Sequence, residues 1–400
     1  MFIEMVHLTI NYPTDLIMNR KNILLPTLCL LFLIPCTAQN KLNTIDTSDF
    51  NDAAHHWYDI KDKSNTINPR PGHPIFRSTE IENIADNILL YQKTNGGWPK
   101  NYDMQAVLTA EQQDSLLRAK KETHTTFDNG ATYSQVAYLA KVYMLIKKDV
   151  YKKALEKGLD FIMDAQYGNG GWPQFYPIET NNYSRYITFN DDAYIGILQV
   201  LKDIADDKPE YAFIEPTQRQ NLIRSYNKGL DCILKTQIND AGTPTAWCQQ
   251  YNEISLEPAW ARKFEPPSIC NRESCEIVFL LMSIHNPSDA VKKAVQNAVA
   301  WFEASKIMDT KVITINAPEM VTPFTVSKHD KIVVSSLGAP PIWTRYYELK
   351  THRPLFCNRD SKVVYTLAEV DRERRDGYGW YTYEPQKVLK AYPDWRKKWL

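Results

Sequence analysis

Two short polar segments contain the residues best suited to chemistry. The first, TFDNGA, contains Asp128 and Asn129, and the second, TFNDDA, contains Asn190, Asp191 and Asp192. Asp and Asn are also preferred helix N-caps, so either segment alone could simply begin a helix. Three polar residues in succession exceed what one cap requires. Paired carboxylates with amide oxygens suit Ca²⁺, and two carboxylates could equally be the acid and base of a glycosidase.

Three arginines lie among aromatic residues and prolines rather than on an exposed helical face. Arg262 is in AWARKFEPPS, Arg345 is in PIWTRYYEL and Arg359 is in PLFCNRDSK. An arginine in such a segment either stacks on a ring and satisfies backbone carbonyls, or binds an anion. The residue types alone leave both interpretations open.

The pentapeptide NGGWP precedes each polar segment, at 95–99 and at 169–173. Glycine pairs just beyond a helix end it, and the following proline prevents it from resuming. Because loop and helix start recur together, the repeating unit is a helical hairpin. Such hairpins predict an all-α fold, an irregular (α/α) toroid with a few short strands, whose loops gather around a cleft. Trp98 and Trp172 either face sugars there or pack the hairpins together.

Apolar residues at helical spacing support this fold. They predict helices over 81–89, 133–144, 193–204, 277–284 and 291–302, the first of them behind a Thr79/Glu82 capping box. Strand signals are few, and KIVVSS (331–336) is the best of them.

Composition excludes some classes of protein. The 400 residues are 44% hydrophobic, enough to bury a large core, and 47 basic residues balance 47 acidic ones. No global field therefore attracts nucleic acid or an anionic membrane. We expect a monomer without a nucleic-acid partner.

The N-terminus has the pattern of a secretory signal. Basic residues precede the apolar run ILLPTLCLLFLIP (23–35), which is too short to span a membrane and ends near Ala38. We predict a cleaved signal region over 1–38, with Met18 as a possible start, and a secreted, periplasmic or cell-envelope protein. Acylation of Cys36 is the alternative. A mobile segment is expected over 39–75, and a single toroid domain over 76–400.

The motifs NGGWP, TFDNGAT, GGWPQFYP, TFNDDA, AWCQQ, ARKFEPPS, PIWTRYY and NRDS together resemble those of the pectate lyases of polysaccharide lyase family 10. The resemblance covers about residues 75–385. It implies a helical toroid that cleaves polygalacturonate by β-elimination with Ca²⁺ and releases 4,5-unsaturated oligogalacturonates. By position, it implies Asp128, Asp191 and Asp192 as metal ligands, Arg262 as the catalytic base, and Asn129, Arg345, Arg359, Trp98 and Trp172 as substrate-binding residues.

Other functions fit part of the pattern. A glycoside hydrolase on the same toroid would use Asp128 with Asp191 or Asp192 as acid and base, and would need no calcium. A secreted pectin-binding protein would keep the cleft without catalysis. A helical scaffold for another protein gives no reason for arginines and acids to concentrate beside these turns.

Overall fold

A computed structural model describes residues 44–59, 65–240 and 242–400. The predicted signal region, 1–38, lies outside these residues. The α-helices are α1 (Asn51–Asp59), α2 (Ile81–Tyr91), α3 (Ala110–Arg118), α4 (Tyr133–Ile146), α5 (Asp149–Asp164), α6 (Ala193–Ala205), α7 (Pro216–Thr236), α8 (Asn271–Met282), α9 (Asp289–Ala304), α10 (Arg372–Gly377) and α11 (Glu384–Trp399).

Strands are short, with one exception. They are β1 (Thr125–Thr126), β2 (Phe175–Tyr176), β3 (Ile187–Thr188), β4 (Asn239–Asp240), β5 (Thr243–Pro244), β6 (Gln250–Tyr251), β7 (Ile269–Cys270), β8 (Thr310–Val321), β9 (Val326–Ser335), β10 (Trp343–Thr344), β11 (Tyr346–Tyr347), β12 (Pro354–Cys357), β13 (Val363–Val364) and β14 (Tyr381–Thr382). The exception is the antiparallel hairpin β8–β9, of which the sequence predicted only the second strand. A four-stranded sheet has the order β13-β12-β11-β7, and the remaining described strands pair in twos.

The helices form two layers. In the inner layer α2, α4, α6 and α8 pack side by side in chain order, and in the outer layer α5 packs on α7 and α7 on α9. A tight turn joins α4 to α5, and a longer connection with one 3-10 turn (Pro209–Tyr211) joins α6 to α7. Long loops join each pair to the next. The predicted all-α toroid of helical hairpins is therefore confirmed. Of the described helices, none is long and apolar enough to cross a membrane.

A tryptophan anchors each long loop to the helix that precedes it. The indole Nε1 atoms of Trp98, Trp172, Trp247 and Trp343 donate to the backbone oxygens of Ile88, Ile162, Ile233 and Phe302, at 2.8 to 2.9 Å. Trp98 is 0% exposed and Trp172 is 1% exposed. This burial contradicts the sugar-binding role that the resemblance implies for these two side chains. They pack the hairpins together, because the Trp98 indole fills a gap over Gly158 of α5 and the Trp172 indole fills one over Gly229 of α7.

The NGGWP loops dock through their backbone on two outer-layer helices, the first loop on α5 and the second on α7. Gly96 and Gly170 have φ of +94° and +97°, the left-handed region that favours glycine. A Cβ on Gly170 would lie 2.0 Å from the backbone oxygen of Lys228, and one on Gly96 would lie 2.3 Å from that of Lys157. The first residue of each pair must therefore be glycine for two reasons: its backbone is left-handed, and a helix backbone oxygen occupies the space that a Cβ would need.

Gly170→Ala should lower the free energy of unfolding by at least about 1–3 kcal/mol, since it combines left-handed strain with a backbone clash. Thermal unfolding measures the change. Gly168→Ala is the matched control, because its added Cβ would meet nothing within 4 Å in the same loop. Equal unfolding temperatures for the two variants would contradict this account of the turn.

Four of the five predicted helices lie within α2, α4, α6 and α9, but the one predicted over 277–284 is displaced, since α8 spans Asn271–Met282. One predicted cap is also absent. Helix α2 is preceded by Glu80, and no side chain caps it, so the predicted Thr79/Glu82 capping box is wrong. Glu80 instead accepts from the backbone nitrogen of Arg77 at 2.8 Å. Within the part of the chain that the structure describes, five cysteines are free and buried: Cys232, Cys248, Cys270, Cys275 and Cys357.

The segment before the predicted domain is folded where the structure describes it. Phe50 and Trp57 are buried, and Phe50 packs on Tyr138 with ring centroids 5.4 Å apart. The Tyr58 hydroxyl donates to Asp103 at 2.9 Å. The expectation of a mobile segment over 39–75 is therefore corrected for 44–59, because two aromatic side chains fix it to the toroid.

Candidate active site

The long loops place most of the candidate residues in one cavity of about 580 Å³. Its lining includes Asn129, Asp191, Asp192, Arg262 and Arg345. These residues come from four long loops of the toroid, which therefore meet at one end. Trp98 and Trp172 lie in the core and do not reach it.

The two polar segments have the same backbone conformation. Asp128–Gly130 and Asn190–Asp192 are single 3-10 turns, and Asn129 and Asp191 occupy equivalent left-handed positions with φ of +50° and +51°. The turns pack against each other. Left-handed backbone is tolerated by Asn and Asp better than by most residues, so the local geometry explains part of the composition.

The facing carboxylates are electrostatically costly. Burial, together with the nearby Asp128 carboxylate, raises the pKa of Asp191 to about 7. Burial also raises the pKa of Asp192. The Oδ1 atoms of Asp128 and Asp192 are buried and accept no hydrogen bond from the described residues. A site of this kind gains free energy when a cation enters it.

Lys100 is a participant that the sequence did not single out. Its ammonium pairs with Asp128 Oδ2. Burial opposes the charge on Lys100, but Asp128 outweighs it and raises the lysine pKa. The signal was present in NGGWPK, because Gln174 follows the second NGGWP, so only the first loop brings a cation here.

Arg262 is held by a carboxylate three residues away. Its Nε and Nη2 donate to the two oxygens of Glu265 at 2.8 and 2.5 Å, while the Arg262 side chain stays 43% exposed. Burial alone would lower the pKa of Arg262, but Glu265 raises it above its ordinary value. Tyr378 donates to Glu265 at 2.9 Å and shares a hydrogen bond of 2.7 Å with Tyr346.

Arg345 belongs to a buried network. One of its nitrogens, Nη2, donates to Glu273 and, at 3.0 Å, to Asn190. Glu273 is fully buried and lies in the first turn of α8. The backbone nitrogen of Cys270 donates to the backbone oxygen of Trp247 at 2.7 Å. In the second repeat, the backbone nitrogen of Thr188 donates to the backbone oxygen of Trp172 in the same way, at 3.1 Å. Glu273 follows Cys270 at the same spacing as Asp191 follows Thr188. Glu273 therefore occupies the position of Asp191 in a third repeat, and the sequence did not predict this role.

Arg359 lies beside this cavity rather than in its lining. It donates to both oxygens of Glu373 at 2.8 and 2.9 Å. Its guanidinium lies 3.8 Å from the ring centroid of Phe324, at the tip of hairpin β8–β9, and 5.1 Å from that of Phe264. Arg262 lies 5.1 Å from the same Phe264 ring. The two arginines therefore flank one aromatic side chain.

Comparison with known proteins decides the family. The model of the pectic acid lyase family matches residues 92–389. The chain belongs to the pectic acid lyase family. It is a polysaccharide lyase, and the fold and motif resemblance are both confirmed. No curated protein matches it in sequence.

Two solved structures from Cellvibrio cellulosa are similar. The family 10 polysaccharide lyase has 29% identity and a TM-score of 0.68, covering 79% of this chain and 92% of its own. An Asp-to-Ala variant of that family 10 lyase, in complex with trigalacturonic acid, has 29% identity and a TM-score of 0.67. This similarity also covers 79% of this chain and 92% of the other. Both similarities extend over most of the toroid.

Proposed function

We propose that this lyase cleaves polygalacturonate, the demethylated form of pectin, by calcium-assisted β-elimination to 4,5-unsaturated oligogalacturonates. The observation that carries the proposal is the cavity itself, in which the Asp191 and Asp192 carboxylates and the Arg262 and Arg345 guanidiniums share one lining. The trigalacturonic acid bound by the similar Cellvibrio variant supports the same substrate class.

The chemistry explains the cations. In a galacturonate unit the C5 proton is α to a carboxylate, and its removal places a second negative charge on that group. Arg345 suits the carboxylate because Glu273 and Asn190 hold its planar guanidinium in place before substrate arrives. The C4–O bond then breaks, its oxygen leaves with the electron pair and is protonated by solvent, and the double bond forms between C4 and C5.

The site fits a calcium ion in its donor atoms. Asp128, Asp191 and Asp192 would supply carboxylate oxygens and Asn129 an amide oxygen, all of which Ca²⁺ accepts. Among described residues, no group of three His, Cys, Asp or Glu side chains converges closely enough to hold a metal alone. Substrate and water oxygens would complete the shell. Bound calcium would stabilise the charge developing on the substrate carboxylate.

Arg262 is proposed as the residue that takes the C5 proton. In the substrate-free protein the Glu265 contact favours the charged guanidinium, which opposes a base. Glu265 uses Nε and Nη2, so Nη1 is the nitrogen outside this pair. Arg345 and bound calcium would both favour loss of the Arg262 proton, acting against Glu265. Arg359 is proposed to bind a neighbouring substrate carboxylate.

Secretion is proposed from the basic and apolar N-terminal pattern. A polymeric substrate such as pectin has to be met outside the cytoplasm, which agrees with export through a signal over 1–38.

Lys100→Gln should strengthen calcium binding to the substrate-free protein by about three- to tenfold, because removing a neighbouring positive charge favours a cation at Asp128. Titration calorimetry measures the dissociation constant. The exposed Lys121→Gln is the control and should change nothing. Weaker binding by the Lys100 variant would show that Lys100 orients Asp128 rather than competing with the metal.

Mass spectrometry of the products tests the proposed reaction. Elimination yields fragments whose masses sum to that of the oligogalacturonate substrate, whereas hydrolysis adds one water. We expect the first result with calcium present. Fragments that carry the added water would favour the hydrolase, and binding without fragments would favour the non-catalytic alternative.

A further inference from the structure

The first described helix forms part of the cleft wall. Asp49, Asp52 and His56 line the same cavity as Arg262 and Arg345. They belong to a segment, Ser48–Asp59, that precedes the residues matched by the family model. We call this segment the N-terminal wall. None of the catalytic, substrate-binding or metal-binding roles proposed above uses a residue of the N-terminal wall.

The N-terminal wall is rigidly placed. The Trp57 indole donates to the backbone oxygen of Ile67 at 3.2 Å, and Trp57 is 1% exposed. The backbone oxygen of Asp49 lies so close to the Asp128–Gly130 turn that a Cβ on Gly130 would be 3.0 Å from it. The wall therefore directly adjoins the turn that carries Asp128 and Asn129.

The N-terminal wall adds carboxylates to the cavity lining without an arginine or lysine of its own in that lining. Asp49 and Asp52 are exposed carboxylates, and the side chain of Asp52 is 58% exposed. The imidazole Nδ1 of His56 donates to the backbone oxygen of Asp52 at 2.8 Å. Elsewhere in the lining three arginines lie among three carboxylates: Arg262, Arg272 and Arg345 with Asp191, Asp192 and Glu276.

The two wall carboxylates, which no lining arginine or lysine on the wall accompanies, affect a polyanionic substrate. One galacturonate carboxylate meets the arginines, but a sugar that lies against the N-terminal wall brings its own carboxylate toward Asp49 and Asp52. Like charges at a solvated surface repel, and methyl esterification removes the charge from the sugar.

We propose that the N-terminal wall selects a methyl-esterified galacturonate over a free galacturonate at the sugar position beside it. The inference rests on the proposed function and adds a substrate preference to it. The preferred polymer is then partly esterified pectin, with a free carboxylate at the reacting sugar and an ester at the sugar along the wall.

The test combines Asp49→Asn and Asp52→Asn in one protein. Asp59→Asn is the matched control, because Asp59 is on the same helix, is exposed and pairs with His55 outside the cavity lining. KM and kcat are measured on polygalacturonate and on partly methyl-esterified pectin. We expect the double variant to lower KM for polygalacturonate about three- to tenfold, with little change in kcat or in KM for the ester.

Binding is measured separately, by calorimetry with free and methyl-esterified oligogalacturonates of equal length, in an Arg262→Ala background with calcium. The wild-type wall should favour the ester and the double variant should lose that preference. An unchanged ratio, or weaker binding of the free acid by the double variant, would overturn the inference. If the wild-type enzyme eliminates neither polymer, the proposed function fails, while the binding ratio still decides the role of the wall.

Discussion

Arg262→Lys and Arg262→Ala should each lower kcat on polygalacturonate by about 10²–10⁴-fold, the contribution expected of a positioned proton acceptor. Lysine keeps the positive charge but loses the planar fork that Glu265 holds through two nitrogens. Calcium binding should change little, because its proposed ligands are on the other loops. Turnover is followed by ultraviolet absorbance of the unsaturated product.

Folding has to be checked in these variants, since Glu265 is 1% exposed and loses an ion pair when Arg262 is removed. The double variant Arg262→Ala with Glu265→Gln removes that buried charge and should unfold at a temperature nearer that of the wild type. Arg353→Lys, which alters an arginine stacked on Tyr365 outside the cavity lining, serves as the activity control. Turnover by Arg262→Ala within tenfold of the wild type would remove Arg262 from the chemistry.

Glu273→Gln should cost about 3–5 kcal/mol of folding free energy, because it leaves the buried Arg345 charge without its carboxylate. Denaturant unfolding measures this loss. Activity should fall as well, since Arg345 would no longer be fixed beside Asn190. Glu303→Gln, which breaks an exposed pair with Lys306, should cost less than about 1 kcal/mol.

The loss of folding free energy in Glu273→Gln should also depend on pH. Burial would raise the pKa of Glu273, but Arg345 outweighs it and holds that pKa below its ordinary value. A carboxyl group with a lowered pKa stabilises the fold above its unfolded pKa, and this contribution is lost as pH falls through the folded pKa. The difference in unfolding free energy between the wild type and Glu273→Gln should therefore be largest at neutral pH and become smaller only in acid. A gap that does not change with pH would assign the loss to packing.

The sequence predicted the helices and the two polar turns because each signal is local. Periodic apolar residues determine which face of a helix is buried, and NGGWP determines where a loop begins. The third repeat was missed because Trp247 lacks the preceding glycine pair and follows the inserted β4–β5 hairpin. Glu273, the acid that this repeat contributes, was therefore not recognised as part of the site.

Two further results depend on tertiary structure. A tryptophan beside a glycine pair suits a sugar platform as well as a hairpin core, and only the hydrogen bonds of Trp98 and Trp172 to helix carbonyls distinguish the two. The N-terminal wall lies in a polar stretch with little periodicity. Its position depends on Phe50 and Trp57, whose partners are distant in the chain.

Calcium-dependent elimination is the central claim, and ultraviolet absorbance of the conjugated uronate product tests it most directly. Protein lacking residues 1–38 is mixed with polygalacturonate in calcium, and again in chelator, beside the Asp128→Asn variant. We predict that absorbance rises with the wild-type protein in calcium and stays flat in chelator and with the variant. An equal rise in chelator, or cleavage without any absorbance, would contradict the account.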